Sequence, residues 1–186
     1  MAKQEKNVVT HGLSGKIGDL LLFRQRGGKT IVSKIPEFSK TVSEKQAAQR
    51  KLFQQAVIYA QTAIASPEME ELYKAVAKKK GKYPFNVAVA DFLNAPDIHD
   101  IDLSEYTGST GDRIRILVND DVAVKSVKVE IRNADGSLVE EGEAVQIAGS
   151  LWIYTAVQDN ENLDGDKITV SASDIPGNVT QEERKL

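Results

Sequence analysis

The sequence predicts an α+β protein: an N-terminal β-hairpin and a three-helix segment, followed by an antiparallel β-sandwich. Three observations predict it. Apolar residues between 44 and 93 recur at three- and four-residue spacings, whereas those after residue 112 alternate; these are the periods of helix and strand. A Gly-Gly pair separates two strand-like runs near the N-terminus. Short alternating runs and turn clusters then follow one another to residue 183, with a single tryptophan among them, a sandwich pattern. The expected divisions are an arm and hairpin over 1–36, a helical segment over 37–96, a connector over 97–111 and the sandwich over 112–186.

Residues 1–17 show little periodicity and are punctuated by Gly12 and Gly15, with Gly18 just beyond, so an extended arm with turns is expected. GDLLLFRQ (18–25) and KTIVSKI (29–35) flank Arg26-Gly27-Gly28. The glycine pair suits a tight turn that needs positive φ. Leu20, Leu22 and Ile31 are expected on one face, with Arg24 and Lys29 beside the turn, and Pro36 ends the second strand. An isolated two-stranded hairpin is marginal in water. The hairpin is therefore expected to dock on a neighbouring copy through Leu20, Leu22, Phe23, Ile31 and Val32, with Arg24 and Arg26 alongside.

Ser43-Glu44-Lys45-Gln46 has the form of a capping box. The 22 residues 44–65 contain neither Gly nor Pro, and Leu52, Phe53, Ala56, Ala60, Ala63 and Ile64 form one stripe, so a long amphipathic helix is expected. Ser66-Pro67 restarts a helix. Its early glutamates and its final Lys78-Lys79-Lys80 match the two ends of the helix dipole, and Gly81 stops it. Pro84 opens a third helix through Asn94, with Phe85, Ala88, Val89 and Phe92 as its buried stripe.

The connector DIHDIDLSEYTGSTG is acidic and rich in turn residues. Beyond it Ile114, Ile116 and Val118 alternate, then Val127, Val129 and Ile131. Asn133-Ala134-Asp135-Gly136 reads as a hairpin turn. SLVEE, AVQI, LWIYTAV, DKITVSAS and NVTQE continue the strands, with Asp174 to Asn178 as the last turn.

VKVEIRNADGS (127–137), Trp152-Ile153-Tyr154 and VSASDIPGNVT (170–180) resemble the bacterial Ig-like repeats of surface and fibrous proteins. That likeness covers about two-fifths of the chain. It implies an Ig-like antiparallel β-sandwich, in which the Asp and Asn of the A-x-D-x-x-G-N motif bond backbone groups and the Gly supplies a left-handed turn position. It implies no particular activity, since sandwiches host many roles. The N-terminal half, with its glycine-punctuated hairpin opening and Gln46 or Gln49, Arg50 and Phe53, resembles uncharacterised bacterial proteins.

Charge is divided unevenly. Residues 1–82 hold 16 Lys/Arg against 7 Asp/Glu, and residues 83–186 hold 8 against 20. Such asymmetry fits head-to-tail attraction between copies, contact with nucleic acid or a membrane, or two solvated surfaces that simply differ in sign. The chain has no cysteine, which removes disulfides, thiolate metal sites and cysteine nucleophiles. Its two histidines, His11 and His99, lie in the arm and the connector, and no G-x-S-x-G occurs, so no catalytic residue is expected. Gly12-Leu13-Ser14-Gly15-Lys16 has two residues between its glycines where a phosphate loop has four. It is read as a turn. Asp159, Glu161, Asp164 and Asp166 lack EF-hand spacing and are read as a hairpin tip, with no metal or other cofactor expected. The apolar run from Leu20 to Phe23 is too short for a signal-peptide core, and no stretch approaches the roughly 18 apolar residues of a membrane span. A cytoplasmic start, or export and assembly by another route, is expected. The resulting expectation is a non-enzymatic, self-assembling structural subunit of a filament or particle, partnered by other copies of itself. The alternatives are a nucleic-acid-associated protein using the basic half, and an Ig-like surface-binding module.

Overall fold

The computed structural model describes residues 2–4, 10, 12–35 and 42–186. Among them the chain forms three helices and three four-stranded antiparallel sheets, a mixed α+β architecture. No helix among these residues is long and apolar enough to cross a membrane. The chain divides into two compact units, Met1–Gln46 and Ala47–Leu186.

The first unit is built around the expected hairpin. Its strands are β1 (Ala2–Gln4), β2 (Gly15–Ile17), β3 (Leu21–Arg26) and β4 (Lys29–Lys34), in the order β1-β4-β3-β2. Gly27 and Gly28 have φ of 57° and 73°, the paired positive values a two-residue hairpin turn requires. The arm is more than an extension, because it supplies both outer strands. β1 pairs with β4 from Ala2↔Val32 to Gln4↔Thr30, and β2 with β3 from Gly15↔Phe23 to Ile17↔Leu21. Pro36 and His11 lie outside the described residues.

Three helices follow, α1 (Glu44–Ala65), α2 (Pro67–Lys80) and α3 (Pro84–Leu93). The capping box forms reciprocally: Ser43 N–H donates to Gln46 Oε1 at 3.2 Å and Gln46 N–H to Ser43 Oγ at 3.3 Å. Gly81 ends α2 in the left-handed conformation, with its N–H on Ala77 O. The helices pack through Ala56, Ala60, Tyr73, Ala77, Val87 and Ala88. Leu52 and Phe53 depart from the expected stripe. They are exposed, as are all of residues 44–55; α1 reaches its neighbours only in its second half. In α3 the buried face is turned towards Val87, Ala88, Val89 and Asp91, leaving Phe85 exposed and Phe92 half-buried.

The remaining strands are β5 (Asp97–Asp102), β6 (Arg113–Asn119), β7 (Val124–Arg132), β8 (Leu138–Glu143), β9 (Val145–Ala148), β10 (Leu151–Thr155), β11 (Lys167–Asp174) and β12 (Val179–Lys185). They form two sheets, β5-β6-β10-β9 and β12-β11-β7-β8. Their inward residues share one core, with Ile114, Ile116, Val129, Ile131, Ile168 and Val170 fully buried. Each such side chain contributes roughly 1.5–3 kcal/mol over an exposed position. Segment 97–111 is therefore not wholly a connector, since its first six residues are an edge strand. A bulge between Ile98 and Asp100 spaces its two buried isoleucines, Ile98 and Ile101, by three rather than two. That insertion hides the strand period from the sequence.

The closing turn joins sheet to helix. Asp174 Oδ1 accepts the N–H groups of Gly177 (2.8 Å) and Asn178 (2.6 Å), and Gly177 sits at φ 96°. The Asn178 amide donates to Asp174 Oδ2 at 2.7 Å. The same nitrogen lies 3.2–3.3 Å from the main-chain carbonyls of Asp91, Phe92 and Asn94. On the β6–β7 turn, Asp121 accepts from Lys80 Nζ at 2.7 Å and from Asn94 Nδ2 at 2.7 Å, and these two partners hold its carboxyl below the usual range. The lysine run at the end of α2 thus has a local partner.

Candidate assembly interface

Register assigns the N-terminal sheet two unlike faces. Residues directly opposite in an antiparallel pair point to the same side. Leu21↔Lys34, Phe23↔Val32 and Gln25↔Thr30 mark one side, continued by Ile17 of β2. Leu22↔Ser33, Arg24↔Ile31 and Arg26↔Lys29 mark the other, continued by Lys16. The second side therefore gathers Lys16, Arg24, Arg26 and Lys29 around Leu22 and Ile31. No Asp or Glu occurs in β1–β4.

The expected interface residues separate accordingly. Leu20 lies in the turn before β3 and is 77% exposed. Arg24 and Arg26 are exposed, and Leu22, Ile31 and Val32 are half-buried. Phe23 is only 6% exposed, so it packs inside and offers no free surface. Thr30 is buried too, with Gln25 Nε2 donating to its Oγ1 and to Leu13 O, both at 2.8 Å. The apolar side chains left open are Leu13, Ile17 (54% exposed), Leu20 and Leu21. Leu13, Ile17 and Leu21 were not among the expected interface residues. The offset between Leu20, in a turn, and Leu22, on the basic side, separates residues that sequence spacing had grouped. Both clusters of buried apolar residues consist of positions from Ala56 onwards.

Other groups singled out in the sequence take structural positions. Gly15 and Lys16 open β2, a strand rather than a phosphate loop. His99 is exposed at the β5 bulge, with Nδ1 3.3 Å from Asp97 Oδ2. Asp159 Oδ1 accepts the Thr110 N–H and hydroxyl at 2.7 and 2.8 Å. Asp166 is buried and accepts from Ala134 N–H at 3.1 Å and Asn160 Nδ2 at 2.7 Å. Among the described residues no group of acidic or histidine side chains converges as a metal cage. Trp152 lies in the core, out of reach of a flat ligand.

The helices hold one unanticipated polar chain. Tyr59 OH and Tyr73 OH are 2.8 Å apart, and Tyr73 OH donates to Asp91 Oδ2 at 2.6 Å. Asp91 is fully buried, and its Oδ1 has no hydrogen-bond partner among the described residues. Burial pushes its carboxyl up to about 7, with the Tyr73 bond opposing and Asp120, Asp174 and Asp121 adding to the rise. Burial and the Asp91 bond raise the Tyr73 hydroxyl. This polar chain can hold a proton at Asp91.

No protein-family model matches the chain. No curated protein matches it significantly.

Proposed function

We propose that the chain is a non-enzymatic, self-assembling structural subunit of a filament or particle, with the N-terminal sheet docking on a neighbouring copy and an Ig-like sandwich as its body. The observation that carries this reading is the surface of that sheet. Leu13, Ile17, Leu20 and Leu21 are open on its strands and turns, and apolar surface grouped in this way marks a contact site. The Ig-like assignment is supported by strand order. Reading β5–β12 as A, B, C, C′, D, E, F and G, the two sheets are A-B-E-D and G-F-C-C′, the pairing of that fold family. The buried Trp152 and the Asp174–Gly177–Asn178 turn agree with it.

Removing residues 1–35 is the test. Every member of the two core clusters remains in the shortened chain, which is expected to be a folded monomer by light scattering while the full chain forms large species. Large species from the shortened chain would refute the reading. A second reading, nucleic-acid association, is favoured by the side carrying Lys16, Arg24, Arg26 and Lys29. Its signature in the same preparation is duplex DNA binding that weakens steeply with salt; binding that is absent or insensitive to salt removes it.

A further inference from the structure

We infer that Asp91 is a pH-operated latch between the helices and the sandwich: with a proton on its carboxyl, α3 stays seated against the β6–β7 and closing turns, and without it α3 is driven off them. The inference is independent of the self-assembly reading, because it concerns the larger unit alone.

Asp91 sits where helices and sheets are tied together. Its side chain meets the helices: Tyr73 OH of α2 donates to Oδ2 at 2.6 Å, and Tyr59 OH of α1 lies 2.8 Å from Tyr73 OH. Its main-chain carbonyl meets the sandwich, 3.2 Å from the Asn178 amide nitrogen that also reaches Phe92 O and Asn94 O. Asn94, just beyond α3, donates from Nδ2 to Asp121 Oδ2 at 2.7 Å. The carboxylates that act on Asp91 at this joint are Asp120 and Asp121 of the β6–β7 turn and Asp174 of β11.

These groups are not equally supplied with donors. Asp174 is fully buried, yet its Oδ1 accepts the Gly177 and Asn178 N–H groups and its Oδ2 the Asn178 amide. Asp121 accepts from Lys80 Nζ as well as from Asn94, and Lys82 adds to the positive charge around it. Asp120 is only part-buried, and its Oδ2 accepts the Val122 and Ala123 N–H groups, both at 2.9 Å, while its Oδ1 has no partner among the described residues. Asp91 is fully buried, accepts a single hydroxyl, and leaves Oδ1 with no partner among the described residues. An ionised carboxylate held in that way lacks the donors that would replace its lost water. Asp91 is therefore the member that keeps a proton. Burial pushes its carboxyl up to about 7, with the Tyr73 bond opposing and Asp120, Asp174 and Asp121 adding to the rise. Once the proton leaves, the charge regains water only if α3 withdraws from the turns, which parts the Asn178 amide from the carbonyls of Asp91, Phe92 and Asn94.

The experiment is amide exchange on the full-length chain between about pH 5 and 8, with each rate divided by the intrinsic rate at that pH. Below the folded value the closed state holds a proton that the open state releases. Protection of α3 should therefore fall about tenfold per pH unit up to that value and level off above it, while β7 keeps its protection throughout. Asp91→Asn, uncharged at every pH, should hold the protection of α3 level. Asp120→Asn removes a like charge and should move the break to lower pH; Tyr73→Phe removes the donor to the ionised form and should move it to higher pH. A purely structural role for these side chains would not produce shifts of opposite sign. Equal losses of protection in α3 and β7 would mean that Asp91 governs unfolding of the whole unit, and a slope that survives Asp91→Asn would mean that another group titrates; either result overturns the latch, as does level protection of α3 in the parent. Should Asp91→Asn fail to fold, Asp120→Asn decides, and an unmoved break refutes the inference.

Discussion

Ile17 and Ile116 both sit in antiparallel strands beside a large apolar partner, Leu21 in one case and Trp152 in the other. Ile17 is largely open, and Ile116 is fully buried. The strand itself does not make the difference. Around Ile116 a second sheet supplies Val127, Val129, Ile131 and Ile168 to a common core. The N-terminal sheet contributes no member to either core cluster among the described residues. Alternation specifies a strand, while burial needs a second layer. Among the described residues none forms such a layer over Ile17, Leu20 and Leu21, and those side chains stay open.

The largest expected effect tests that contrast directly. Ile116→Ala should cost about 4 kcal/mol of unfolding free energy in a urea titration, from lost transfer energy and the remaining cavity. Leu20→Ala in the turn should change it by no more than about 0.5 kcal/mol. Comparable losses at the two sites would mean the N-terminal sheet is integral to the folded core.

Next in size is a pH effect at Asp91, where the larger unit buries a charge the smaller one leaves in water. Its folded value of about 7 lies above the ~3.9 of an unfolded aspartate. As pH rises the unfolded chain releases this proton first. The stabilising contribution is therefore complete below about pH 4 and is lost as pH climbs through the folded value, a change on the order of 3 kcal/mol. Tyr73 of α2, Tyr59 of α1, Asp120 and Asp121 of the β6–β7 turn and Asp174 of β11 all act on it. Asp112, Asp121 and Asp159, held low by their donors, oppose it only in more acidic solution. Asp91→Asn should flatten the decline in urea midpoint between about pH 5 and 8. An unchanged slope would show that Asp91 does not carry it.

A smaller loss is expected at the joint between helices and sheets. Asn178→Ala leaves Asp174 Oδ2 without its amide donor and removes the donor near three carbonyls at the end of α3. It should cost about 2 kcal/mol. Amide exchange should rise in α3 more than in β7, and uniform protection across both would contradict this link.

Much of this architecture was legible because local chemistry marks its own boundaries. Ser43 and Gln46 capped α1 where their spacing indicated, Gly81 stopped α2, and the Gly27-Gly28 turn formed the hairpin. Burial was less legible, because it depends on neighbours distant in sequence. Leu52 and Phe53 continue the stripe of α1 but lie beyond its packing partners. Asp91 sits 18 residues from Tyr73, and no local pattern announces an acid that a tyrosine draws into the interior. In the candidate interface, Leu20, Arg24 and Arg26 are exposed and Phe23 is buried; the side on which Phe23 falls depends on a register that the arm strands help to define. β5 escaped notice because one inserted residue converted an alternating signal into a spacing of three.

The Asn178 side chain reaches back 87 residues to the carbonyl of Asp91. A ribosome releases the end of α3 long before it releases this asparagine. During synthesis those carbonyls must therefore be served by water, and the helices, already tied to the β6–β7 turn through Lys80, Asn94 and Asp121, gain this second tie only once residue 178 emerges. The last steps of folding therefore follow translation of the final turn.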